Sequence, residues 1–274
     1  MSGADTSSTV RIALLFPELL GTYGDGGNAV VLAKRLSWRG IPAEIVTVAA
    51  GSTVPDSCDL YLLGGGEDGP QVAAANELGL DGPLHRAVAG GAVLFAVCAG
   101  MQITGRAFLG ADGQPQQGLG LLDCVTRRTS EPRAVGELVV EPDPLWGLER
   151  LTGFENHGGR TKPGATAQVL GRVTAGVGNG SVSVDADGQA SEGILAHVGD
   201  GWVLGTYLHG PALARNPSLA DLLLRWTTDA ELAPLPEVDD EAARLRADRF
   251  VAIDAGRLDG VAHKTLRDRI LRRN

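Results

Sequence analysis

The strongest constraint on this chain is an alternation that repeats through its first hundred residues. Residues 10–16 (VRIALLF) form a continuous apolar run, the mark of a short strand buried on both faces. The turn GTYGDGGN follows, and residues 29–38 then carry helical spacing. Residues 42–48 read as a second strand, and residues 60–63 (LYLL) as a third that runs into Gly64-Gly65-Gly66. Residues 71–89 read as helical in two pieces, broken near Gly82-Pro83, and residues 92–97 (AVLFAV) as a strand ending at Cys98. Strands alternating with helices imply a parallel sheet with helices on both faces, and such sheets bind ligands at the carboxyl ends of their strands.

The middle of the chain changes character. Residues 137–141, 166–173, 182–184 and 202–207 are short β-prone runs separated by Gly, Asp and Asn, which predicts a loop-rich, more antiparallel half of the same domain. Residues 217–226 have the spacing of a closing amphipathic helix. Beyond Ala233-Pro234-Leu235-Pro236 the composition turns to charge, as expected for one or two surface helices. A length of 274 residues suits one large α/β domain with a modest addition.

Composition excludes several classes. Against 24 basic residues stand 33 acidic ones, a net charge of −9, which argues against nucleic acid or an anionic membrane as the main partner. The longest near-apolar run, residues 92–101, is too short for a bilayer span, so no direct membrane insertion is expected. The N-terminus shows no export signal, and a cytoplasmic location is expected. Three cysteines, Cys58, Cys98 and Cys124, are too few and too scattered for a disulfide framework or a zinc site, so no metal is expected.

Cys98 is the chief candidate for chemistry. An apolar strand ends on it, and Ala99-Gly100 open a helical pattern at once, as in a nucleophile elbow. The small flanking residues suit a crowded turn, and the start of a helix favours thiolate. The same placement also fits a buried strand-end cysteine, since free cysteine is among the most buried residues. A nucleophilic cysteine needs a histidine, and there are five: His85, His157, His197, His209 and His263. His209 follows a strand pattern, WVLGTYL, and can reach the sheet edge that carries Cys98. His157 lies in FENHGGR, read as a polar, Gly-rich loop able to line a pocket. Gly64-Gly65-Gly66 offers backbone N–H groups to a developing oxyanion. The turn at residues 24–27 is superficially like a phosphate loop but lacks the lysine, so ATP chemistry is not expected in this chain.

Taken together, LLGGGEDGPQ, VCAGMQ and GTYLHGP resemble the class I (triad-type) glutamine amidotransferases. The resemblance is nearer to the cobyric-acid-synthase-like branch, and most of all to the glutaminase subunits that serve lipid II isoglutaminyl synthases. The segments YGDGGN at 23–28, GLGLLD at 118–123, GFENHGGRT at 153–161 and GTYLHGP at 205–211 carry the narrower likeness. It implies an α/β class I glutamine amidotransferase (flavodoxin-like) fold, with a mixed, largely parallel sheet flanked by helices. The domain would span residues 9–228, followed by a charged helical tail at 237–274 that is a candidate for partner docking.

The resemblance also implies roles. Cys98 would attack the side-chain amide of L-glutamine, and His209 would pass protons. Backbone N–H groups of Gly65 or Gly66 and of Ala99 would hold the oxyanion. Gln102 would lie near the substrate, and Arg133 would bind its carboxylate. Family members commonly carry Glu two residues after the histidine; here His209-Gly210-Pro211-Ala212 lacks it. Either a Cys–His dyad suffices or an acid comes from elsewhere, a partner included. With no nucleotide site in this chain, ATP and Mg are expected on a Mur-ligase-like synthase partner, in a heterodimer that amidates D-glutamate of the lipid II stem peptide. The rival readings are a cobyrinate-type amidase, an elbow-bearing cysteine peptidase and a non-catalytic binding subunit.

Overall fold

The computed structural model describes residues 9–255. Its first half follows the apolar runs: β1 (Val10–Leu15), α1 (Gly27–Trp38), β2 (Ala43–Val48), β3 (Leu60–Leu63), α2 (Asp68–Leu78), α3 (Pro83–Ala89), β4 (Val93–Val97) and α4 (Ala99–Thr104). The predicted break at Gly82-Pro83 separates α2 from α3, with Pro83 at the first turn, where its missing N–H costs nothing. β3 and β4 are buried at every position, as unalternating apolar runs require.

The second half contains β5 (Ala107–Leu109), β6 (Pro115–Gln117), β7 (Cys124–Arg128), β8 (Ala134–Pro142), β9 (Leu151–His157), β10 (Gly159–Pro163), β11 (Gly171–Ala175) and β12 (Ser191–Glu192). Then come β13 (Ile194–Val198), β14 (Gly201–Thr206), α5 (Ala212–Arg215), α6 (Pro217–Thr228) and α7 (Pro236–Asp254). The main sheet has the order β13-β14-β4-β3-β1-β2. All its neighbours pair in parallel except β13, which runs antiparallel to β14 along one edge. Two four-stranded sheets, β10-β7-β5-β6 and β12-β11-β8-β9, form the more antiparallel half.

Three local expectations change. Of residues 166–173, only 171–173 join a strand, and residues 182–184 form turns with an isolated bridge from Val184 to Ala190. FENHGGR is no loop: it builds β9 and β10. Its polar residues mislead because most of them are buried, namely Glu155, His157 and Arg160. The tail is helical through α7, and it is clamped to the domain. Arg35, almost wholly buried, pairs with Asp221 of α6 and Asp239 of α7, while Arg249 of α7 pairs with Glu137 of β8. Residues 256–274 of the expected tail lie outside the described residues.

The carboxyl ends of β1, β3, β4 and β14 converge on one edge. They deliver the 16–26 loop, the Gly64–Gly66 turn, Cys98 and the 207–211 segment to a single place.

Candidate active site

Cys98 sits between β4 and α4 with φ 52° and ψ −104°, a left-handed conformation that costs a non-glycine residue about 1–3 kcal/mol. Its surroundings enforce it. The Cys98 N–H donates to the Thr206 carbonyl at 2.8 Å, and Gly100 N–H to the Gly64 carbonyl at 3.1 Å. A Cβ on Gly100 would lie 2.7 Å from the Leu63 carbonyl oxygen, so the expected crowding is present. Cys58 and Cys124 are buried elsewhere, and burial raises both thiols, Cys124 to about 12. Of the three cysteines, Cys98 alone lines the cavity at the sheet edge.

His209 comes three residues after β14 and is bridged to Phe154 of β9 by both of its backbone groups. Its Nδ1 lies 3.0 Å from Oδ2 and 3.2 Å from Oδ1 of Asp25. Both side chains are almost wholly buried, at 1% exposure each. A Cβ on Gly65 would lie 2.6 Å from His209 Cε1, 3.2 Å from Asp25 Oδ2 and 3.5 Å from Cys98 Cβ, so the three groups meet around this glycine. His209 Nε2 is buried and unpartnered, left for the Cys98 side chain beside it. Burial by itself lowers the imidazole, but the Asp25 hydrogen bond and the nearby charges of Asp25 and Cys98 outweigh it and push His209 up to about 10.

The carboxylate missing from the His-x-Glu position is thus supplied by Asp25, in the YGDGGN loop after β1. Sequence reasoning missed it. The available signal was an acidic residue in a Gly-rich turn at the carboxyl end of a buried strand. Asp25 also revises the oxyanion assignment. Gly65 N–H donates to Asp25 Oδ2 at 2.8 Å and is committed to orienting that carboxylate. Gly66 and Ala99, the other two glycine-turn and elbow residues expected there, line the cavity with Cys98.

Gln102 lines the same cavity, yet its amide is built into the wall. Its Nε2 donates to Tyr207 Oη at 3.2 Å, and its Oε1 accepts from Gln71 Nε2 at 2.9 Å. Arg133 lies at the mouth, where it donates to the side chain and carbonyl of Asn156 and has no carboxylate partner among the described residues. Asn156 in turn donates to Tyr23 Oη, and the Tyr23 ring stands edge-on to His209 with centroids 5.0 Å apart.

His157 also reaches the cavity, but both ring nitrogens are engaged, Nε2 with Glu155 at 3.2 Å and Nδ1 with the Gly159 carbonyl at 2.9 Å. Its ring stacks on Tyr207 at 3.6 Å, and burial lowers its pKa. In the turn at residues 24–27, Gly27 packs against Pro211, whose Cγ would lie 2.5 Å from a Cβ there. Among the described residues no cluster of His, Cys, Asp and Glu is arranged to hold a metal ion, and no helix is long and apolar enough to cross a membrane.

Residues 11–217 match the family model of the CobB/CobQ-like glutamine amidotransferase domain. The chain is 36% identical over 229 residues to the GatD subunit of lipid II isoglutaminyl synthase (glutamine-hydrolyzing) from Staphylococcus aureus strain N315, covering 82% of this chain and 88% of that protein. The GatD subunit from Streptococcus pneumoniae strain ATCC BAA-255 / R6 is 30% identical over 213 residues, covering 77% of each. A crystal structure of a glutamine amidotransferase aligns with a TM-score of 0.52 at 21% identity, covering 79% of this chain and 98% of its own, and so shares the fold.

Proposed function

Because the chain belongs to the CobB/CobQ-like glutamine amidotransferase family, we propose that it is a glutaminase whose ammonia feeds a synthase partner. The observation that carries the chemistry is the line Asp25–His209–Cys98 at the sheet edge. Asp25 orients the imidazole and favours its protonated form, the role of the acid in a nucleophile–His–acid triad. The Cys98 sulfur, its proton passed to His209, attacks Cδ of glutamine. The carbonyl oxygen becomes an oxyanion between the N–H groups of Gly66 and Ala99. The tetrahedral adduct collapses as His209 gives its proton to the departing nitrogen, releasing ammonia and leaving a thioester. Water then attacks that thioester, His209 takes its proton, and glutamate leaves as the sulfur is restored. Arg133 at the mouth suits the substrate's α-carboxylate, which a guanidinium binds through paired donors.

Hydrolysis alone wastes the ammonia. The likeness to two GatD subunits of lipid II isoglutaminyl synthase supports amidation of the α-carboxylate of D-glutamate in the lipid II stem peptide as the use made of it. The partner is a Mur-ligase-like synthase, and the ATP and Mg that carboxylate activation requires belong to it. With Asp25 in place, that partner need not supply an acid to His209. Cys98→Ser removes glutamine hydrolysis and labelling by a glutamine-mimicking chloroketone, while the fold is retained. Labelling of Cys58 or Cys124 that survives the substitution overturns the assignment. Co-purification of the chain with a Mur-ligase-like protein tests the partner.

A further inference from the structure

One buried group close to the site has no part in the chemistry above. Glu192, at the end of β12, is fully buried, and its Oε1 accepts from Thr206 Oγ1 at 2.6 Å and from Tyr207 N–H at 2.7 Å. Thr206 Oγ1 in turn accepts from Leu208 N–H at 3.1 Å. One carboxyl therefore fixes the three residues that precede His209. The same Thr206 gives its carbonyl to the Cys98 N–H, so the held segment is also the backbone link between the two reactive side chains. Glu192 Oε2 is buried with no partner.

We propose that Glu192 is a positioning residue, which sets the placement of His209 against Cys98 by pinning Thr206, Tyr207 and Leu208 at the end of β14. The proposal rests on the Cys98–His209 reading above and extends it to a residue that touches neither substrate nor the reacting atoms. Burial pushes Glu192 up to about 7, against the lowering effect of its hydrogen bonds from Thr206 and Tyr207 and with help from the Glu155 carboxylate of β9. The titratable groups that act with it are Glu155 of β9 and Tyr207, in the segment after β14. The neutral form of the acid needs no counter-charge in this buried place. An amide can make the same two acceptor contacts through one oxygen.

Misplacing a reacting group by about 1 Å costs on the order of 10²-fold in rate. Glu192→Ala should therefore lower kcat for glutamine by about 10–10²-fold with KM little changed. Glu192→Gln should restore it. Thr206→Val against Thr206→Ser tests the same contact without touching Glu192, should the first variant fail to fold. The reporter independent of glutamine is the pH profile of Cys98 alkylation by iodoacetamide, which reads the His209–Cys98 pair even if glutamine is not the substrate. Glu192→Ala and Thr206→Val should shift that profile, and Glu192→Gln and Thr206→Ser should not. The sign of the charge effect is also fixed. A carboxyl raised in the fold loses stability as pH rises from its unfolded value towards 7, so Glu192→Gln should raise Tm more at pH 8 than at pH 5. Wild-type kcat and an unmoved alkylation profile in folded Glu192→Ala and Thr206→Val overturn the proposal. Loss of glutamine turnover in the wild type, with the alkylation shifts intact, would instead overturn the glutaminase reading and leave the positioning role standing.

Discussion

Two buried histidines face one cavity, each beside a carboxylate, and they are built for opposite ends. His209 touches Asp25 through Nδ1 and keeps Nε2 unpartnered next to Cys98. His157 spends Nε2 on Glu155 and Nδ1 on the Gly159 carbonyl, with Tyr207 stacked on its face. The electrostatics follow the wiring. Asp25 is oriented by one backbone N–H, from Gly65, and with Cys98 it overcomes burial to hold the His209 proton. Glu155 is occupied by the N–H groups of Val177 and Gly178, and burial prevails at His157. A His–carboxylate contact therefore does not by itself set a histidine's electrostatics. What distinguishes the two is one ring nitrogen left free beside a cysteine whose backbone is strained.

The contrast breaks most sharply on removal of each ring. His209→Ala should cut kcat towards the upper end of the roughly 10²–10⁴-fold range for lost acid–base catalysis, and His157→Ala by less than about tenfold. Comparable inactivation in steady-state glutamine hydrolysis would erase the distinction. Asp25→Asn should cost on the order of 10²-fold, through lost orientation and a less favoured imidazolium. The kcat–pH profile should move with it, because the amide cannot hold the His209 proton. An unchanged profile would return the pair to a Cys–His dyad.

A third variant separates binding from chemistry. Arg133→Ala should raise KM for glutamine by about tenfold and leave kcat nearly intact, since its carboxylate contact is made equally in ground and transition states. A wild-type KM would remove Arg133 from the substrate site. The smallest effect is one of sign, read in thermal melts against pH. His209 is raised above the ordinary 6.5, so its stabilisation is complete below 6.5 and drains away as pH climbs towards about 10. His157 is lowered, so it favours the fold at higher pH and opposes it as pH falls through 6.5. Asp25→Asn should thus lose most Tm near pH 6, and His157→Gln should soften the acid-side fall.

Much of the first half was legible because it obeys local rules. Unbroken apolar runs marked β1, β3 and β4, and Cys98-Ala99-Gly100 after β4 announced the elbow. β9 and β10 were not legible, since Glu155, His157, Arg160 and Thr161 are among their buried residues and the usual alternation carries no apolar signal there. The choice between Gly65 and Gly66 was illegible for a related reason: a free N–H and one already donated to Asp25 look the same in a string of glycines.

The sequence alone determined the parallel sheet, the nucleophile candidate and the histidine at the end of β14, because strand burial and tight turns are set by residues close together in the chain. Only the tertiary structure decided the acid. Asp25 and His209 stand 184 residues apart and meet because β1 and β14 end on the same edge of one sheet. Which ring nitrogen is spent and which carboxylate lacks a partner depend on packing between distant segments, and no local pattern encodes that.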